Sequence, residues 1–202
     1  IEEYSFSDDE TKLLIYTQSE RIFRHSSKGK TYLFDKKTGK GISIFEGKLI
    51  SNPTLSPDGM KVGFTYENNL YYTDIATNKA TQITNDGKWN YIINGMCDWV
   101  YEEEFSFTRA FEWSSDSKKI AFLRFDESNV KEYTMEYYRD DVYPIPYSFK
   151  YPKVGEDNST LEVKIYNLDN QKIVSLDKAP DKEIYYPRIK WTQDPNKLCV
   201  FK

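Results

Sequence analysis

Apolar and polar positions along this chain fall into an order that repeats. An apolar or aromatic residue is followed by a hydroxyl residue, a short turn bearing an Asp, a Lys and then an apolar run. The order occurs at Phe6, Ser7, Asp9 and Lys12, at Leu55, Ser56, Asp58 and Lys61, at Trp113, Ser114, Asp116 and Lys119, and at Trp191, Thr192, Asp194 and Lys197. Pro, Asp, Asn and Gly supply the turn geometry, and the apolar run after each Lys reads as a buried strand. Behind each of the first three copies lie two further apolar runs, residues 31–35 with 42–45, 70–75 with 80–84, and 163–168 with 172–176. Their short linkers carry hairpin-turn residues. Each unit therefore predicts an antiparallel meander of about four strands.

The hydroxyl positions Ser7, Ser56, Ser114 and Thr192 lie 49, 58 and 78 residues apart. Four-stranded units at intervals of about 40 to 50 residues are the signature of propeller blades. The fold class is therefore all-β: a partial β-propeller of about three blades plus the start of a fourth. Propellers close with about four to eight blades. The chain opens at Ile1 without a leader pattern, and both ends break inside a blade pattern. Residues 1–202 are accordingly expected to be a fragment of a propeller domain whose ring closes elsewhere. Two stretches exceed the repeat: residues 85–112 between the second and third blades, and residues 127–160 inside the third. Long loops in a compact fold usually carry function or contacts.

Composition narrows the classes. Aromatic residues make up 16% of the chain, with 17 Tyr, and these favour pleated surfaces. The formal net charge is -4 with no basic block, so no nucleic-acid partner is expected. No apolar run approaches the roughly 20 residues of a membrane helix, so no membrane span is expected in these residues. The two cysteines, Cys97 and Cys199, read as unpaired buried thiols. No metal-ligand cluster with usable spacing appears, and no cofactor is expected.

The connection at 85–112 contains Asp98-Trp99-Val100-Tyr101-Glu102-Glu103-Glu104-Phe105. It predicts a short helix over about 98–107, capped by Asp98, with the three Glu in its first turns, where the helix dipole favours negative charge. The plain reading is a solvated acidic helix. Trp99, Tyr101, Phe105 and Phe107 border the acids with apolar surface, however, and a partly desolvated carboxylate pair calls for a cation.

This acidic segment resembles the motif in the propeller of the dipeptidyl peptidase IV family of serine exopeptidases. Trp113-Ser114, the turn Phe125-Asp126-Glu127-Ser128, the stretch from Tyr147 to Gly155 and Phe23-Arg24-His25-Ser26 extend the resemblance over roughly residues 20–170. It implies that Glu103 and Glu104 bind the free amino group of a peptide substrate and that Arg24 binds the carbonyl between its first two residues. It implies release of N-terminal dipeptides with Pro or Ala second. It also implies a following α/β-hydrolase domain, a homodimer formed through the arm at 127–150, and a periplasmic or extracellular location in a bacterium. Without the resemblance, Arg24 reads as the partner of a neighbouring acid and residues 127–150 as an exposed hairpin on their blade.

No Gly-x-Ser-x-Gly occurs, and the single histidine, His25, reads as structural. No Ser-His-Asp set can be assembled, so the catalytic domain is absent from these residues and the chain alone is expected to be inactive. Asn158-Ser159-Thr160 matches a glycosylation sequon by pattern. The competing class is a non-catalytic propeller scaffold for protein–protein contact. A carbohydrate-active propeller would want acids on several blades, whereas here they gather in one insertion.

Overall fold

The structure, a computed structural model, describes residues 1–138, 142–179 and 184–202. Strands β1 (Glu3–Phe6), β2 (Lys12–Arg21), β3 (Ser27–Asp35) and β4 (Lys40–Ile44) form one antiparallel sheet in chain order. Strands β5 (Ser51–Leu55), β6 (Lys61–Tyr66), β7 (Asn69–Asp74) and β8 (Lys79–Gln82) form the second. The third runs β10 (Phe111–Trp113), β11 (Lys119–Asp126), β14 (Thr160–Asn167), β15 (Lys172–Lys178), with β9 (Ile92–Asn94) also on β11. Strands β12 (Glu132–Tyr137) and β13 (Ile145–Lys150) pair as a separate hairpin, and β16 (Arg188–Trp191) and β17 (Leu198–Phe201) open the next unit. The architecture is the all-β propeller anticipated from the repeat: three four-stranded blades and the start of a fourth.

The repeated hydroxyl residue closes each blade's first turn. Ser7 Oγ donates to Asp9 (2.6 Å) and accepts from the Lys12 N–H (3.0 Å). Ser56 does the same with Asp58 and Lys61, and Ser114 with Asp116 and Lys119. All three serines are buried, so each internal bond satisfies groups that water cannot reach. In the fourth unit the Thr192 hydroxyl accepts from the Asp194 N–H instead (3.1 Å).

The core lies between successive sheets. Leu14, Leu33 and Ile44 of the first meet Val62 and Phe64 of the second. On β11, side chains alternate between faces. Ile120 and Phe122 pack with Leu70, Phe111 and Trp113, while Ala121, Leu123 and Phe125 join Tyr101, Leu161 and Val163. Both faces are covered, which is why this strand reads as a nearly continuous apolar run. Gly63 on β6 lies close against the third sheet: a Cβ there would stand 3.0 Å from Phe111 Cε2 and 3.1 Å from Trp113 Nε1.

One excursion breaks this regularity. β9 and β10 pair with the same edge of β11, and residues 95–110 leave the sheet between them. Its base is laced by Gly95 N–H to Leu123 O, Ala110 N–H to Gly95 O and Cys97 N–H to Thr108 O, each 3.0 Å. Helix α1 (Trp99–Phe105) forms its tip. It is shorter than the span 98–107, because Ser106 turns left-handed (φ 55°) and stops it. Cys97 is buried but Cys199 is exposed. The expectation of two buried thiols fails at Cys199 because its strand, β17, is covered on one face only, with Leu198 and Val200 against the core. Among the described residues no helix is long and apolar enough to cross a membrane.

Candidate functional site

A seven-residue helix does not hold itself together in water, so α1 depends on its attachments. Asp98 caps it, accepting from the Tyr101 N–H at 2.9 Å and from the Ser159 hydroxyl at 2.6 Å. Burial raises the Asp98 carboxyl above its ordinary range, with those two hydrogen bonds opposing. Tyr101 anchors the helix in the core: its ring meets Phe105 and Phe125 at 4.9 Å each, and its hydroxyl accepts from the Tyr186 N–H at 2.8 Å.

The three glutamates then diverge, because consecutive helical residues point about 100° apart. Glu102 is fully buried. Its Oε1 accepts from the peptide N–H groups of His25 (2.5 Å) and Ser26 (3.0 Å). Glu103 turns to Arg24, with Oε1 3.5 Å from the guanidinium Nε. The Arg24 side chain is 72% exposed and that of Glu103 15%. Glu104 is exposed in the last turn, one residue before the stretch that ends the helix.

Arg24 stands on the connection between β2 and β3, which closes on itself. The Ile22 N–H donates to Ser26 O (2.9 Å), and the Phe23 N–H donates to the buried Ser26 hydroxyl (3.2 Å). A loop of the first sheet thus touches the helix inserted in the third. Of the residues singled out from the sequence, Arg24 and Glu103 are brought together, whereas Glu104, the next residue of the helix, faces solvent. The plain reading of Arg24, an ion pair with a nearby acid, describes the same contact. His25 contributes its backbone rather than its exposed ring.

The β12–β13 hairpin covers the loop from the other side. Phe149 packs on Phe23 (5.2 Å) and on Trp99 (6.2 Å), and Tyr151 stacks near Trp99 at 4.0 Å. The Tyr147 hydroxyl donates to Ile22 O at 3.3 Å. Part of the arm at 127–150 is therefore a wall of the site, while Tyr137, Tyr138 and Tyr143 remain exposed at its outer end. Residues 139–141 of that arm lie outside the described residues. A cavity of about 810 Å³ opens beside the loop, lined by Ile22, Trp89 and Tyr147 together with Lys28, Lys48 and Lys88.

Behind the helix, Glu127 is buried at the end of β11. Burial, then the nearby Asp98 charge, pushes its carboxyl up to about 8, with Lys150 opposing. Sequence reasoning passed over Glu102 and Glu127. The pattern of alternating charge and apolarity cannot tell which acid of a run faces inward, and the only signal for Glu102 was its place in the helix's first turn. Chemically, the arrangement offers a mostly buried carboxyl next to a guanidinium, with a solvent-facing carboxyl on the following residue, groups suited to a small cation whose neighbouring group is a hydrogen-bond acceptor.

Residues 7–201 match the family described as the dipeptidyl peptidase IV (DPP IV) N-terminal region. Dipeptidyl aminopeptidase B of Saccharomyces cerevisiae is 33% identical over 205 residues, covering 99% of this chain and 23% of that protein. The crystal structure of dipeptidyl peptidase 4 from Porphyromonas gingivalis superposes with a TM-score of 0.91 at 39% identity, covering 98% of this chain and 28% of that one. The chain thus spans about a quarter of the length of these relatives.

Proposed function

We propose, from the premise that this chain belongs to the dipeptidyl peptidase IV N-terminal-region family, that it is the substrate-selecting part of a serine-type dipeptidyl peptidase. The observation that carries the reading is the pairing of Arg24 with Glu103 where a first-blade loop meets α1. A peptide α-ammonium has an ordinary pKa of about 7.7–8.0 and is mostly charged at neutral pH. Glu103 and Glu104 neutralise it and accept its N–H donors, and Arg24 donates to the first peptide carbonyl. A site ending in two carboxyls admits only a chain with a free N-terminus, and it holds the scissile bond at a fixed distance from that end. Dipeptides are the product, with Pro or Ala preferred second.

The nucleophile and its base belong to a following α/β-hydrolase domain, so residues 1–202 by themselves hydrolyse nothing. The exposed outer end of the β12–β13 hairpin contributes to a homodimer of the whole protein, Tyr being a favoured interface residue. The protein works in the bacterial periplasm or outside the cell.

The test uses the full-length protein and chromogenic dipeptide amides with free or acetylated amino groups. Glu103→Gln and Glu104→Gln each lower kcat/KM on the free amine by about tenfold or more, the loss of one charge-assisted hydrogen bond. Acetylated substrate is poor for the parent and changes little in either variant. Equal turnover of free and acetylated substrates by the parent overturns the reading.

A further inference from the structure

We propose that Glu102 is a positioning residue for this site: it ties the Arg24 loop to α1 and so sets where the guanidinium stands relative to Glu103. The inference rests on the reading of Arg24 and Glu103 given above. Among the described residues, two kinds of polar contact join loop and helix. One is the Arg24–Glu103 pair, which is long and solvent-exposed on the arginine side, and exposed pairs of this kind are weak and screened. The other is the Glu102 carboxyl, which is fully buried and receives two successive peptide N–H groups. The β12–β13 hairpin steadies the loop from its other side, but of the two contacts with α1 the second is the firmer.

Three features mark this contact as a locating device. The N–H groups it takes belong to His25 and Ser26, the residues immediately after Arg24, so it fixes the backbone that carries the arginine. The loop is already closed internally by Ser26 accepting from Phe23, so a tether at residues 25 and 26 also bears on the backbone of Arg24. Finally, Glu102 Oε2 is buried without a hydrogen-bond partner among the described residues. A buried polar atom left unpaired is costly, and natural structures keep few of them. Both of the carboxyl's hydrogen bonds run to its other oxygen, Oε1.

The tether is a matter of reach. Removing one methylene, as in Glu102→Asp, shortens the side chain by about one carbon–carbon bond, roughly 1.5 Å, and takes the acceptor out of range of N–H groups now at 2.5 and 3.0 Å. Glu102→Gln keeps both length and the carbonyl-type acceptor.

The experiment compares Glu102→Gln, Glu102→Asp and Glu102→Ala with Glu103→Gln in the full-length protein. It reads steady-state kinetics on a free-amine dipeptide amide and hydrogen–deuterium exchange of the segment 22–26. Gln leaves KM within about threefold of the parent. Asp and Ala raise KM about tenfold or more with kcat nearly unchanged, as expected when binding is lost equally from ground and transition states. They also speed exchange in segment 22–26, whereas Glu103→Gln leaves that segment protected. A general folding defect would lower active-enzyme concentration without this split, and would not spare the Gln variant. If Ala does not fold, the Gln and Asp variants decide: Asp indistinguishable from the parent, or Gln as impaired as Asp, overturns the proposal. So does a raised KM with segment 22–26 still protected. Failure of Glu103→Gln to affect free-amine substrate removes the ammonium reading instead, and the exchange pattern then judges the tether alone.

Discussion

Replacing Glu127 with Gln should stabilise the ground beneath α1, and more so as pH rises. Glu127 is buried, and its backbone is anchored, donating to Tyr91 O (2.8 Å) and accepting from the Val130 N–H (2.9 Å). The acids facing it are Asp98, Asp126 and Glu132, and the cation facing it is Lys150, whose ammonium is engaged by Val130 O at 2.6 Å. Burial and the Asp98 charge hold the Glu127 carboxyl at about 8 against an ordinary 4.5.

The folded value lies above the unfolded one, so the folded state binds this proton more tightly. The resulting stability is fully present below about pH 4.5 and is lost as pH rises to about 8. Each pH unit in that window is worth about 1.4 kcal/mol, so its whole width is on the order of 5 kcal/mol. Gln is neutral throughout and removes the slope. The assay is segment-resolved hydrogen exchange of α1 and the end of β11 in the full-length protein from pH 5 to pH 9, corrected for intrinsic exchange rates. Parent and variant should coincide near pH 5 and diverge by several kcal/mol of opening free energy near pH 9, the variant being more protected. Parallel profiles across the range, or a parent more protected at pH 9, would refute the reasoning.

Two further outcomes test the packing. Gly63→Ala puts a methyl 3.0 Å from Phe111 and 3.1 Å from Trp113. Overpacking of this kind costs about 1–3 kcal/mol, so a lowered midpoint in denaturant unfolding is expected, and an unchanged midpoint would show that the second and third blades are less tightly packed than described. Burial, with Asp98 and Glu102 nearby, raises the Cys97 thiol well above its ordinary range, whereas Cys199 is exposed. Brief native alkylation followed by mass spectrometry should therefore label Cys199 and spare Cys97, and preferential labelling of Cys97 would contradict the buried base of the α1 excursion.

Much of the fold was legible because its causes are local. The Ser-x-Asp turns close through bonds two to five residues long, such as Ser56 to Asp58 and Lys61 N–H to Ser56, and local bonds repeat wherever the residues repeat. Asp98 could be named as a cap for the same reason: its acceptor serves Tyr101, three residues on. The hairpin at 127–150 was harder. Its tyrosines look alike in sequence, yet Tyr147 reaches back 125 residues to Ile22 while Tyr143 stands in solvent. Nothing within the hairpin distinguishes them.

By itself, then, the sequence determined the blades, their turns and the presence of a capped acidic helix in an insertion. Those follow from backbone preference and from the alternation of apolar positions, which act over a few residues. The tertiary structure alone decided the division of labour among Glu102, Glu103 and Glu104. Adjacent positions on a helix differ by about 100°, so one faces the core, one faces Arg24 and one faces water. Which is which depends on a loop 76 and 77 residues away, and only the packing of the sheets against one another brings that loop to the helix.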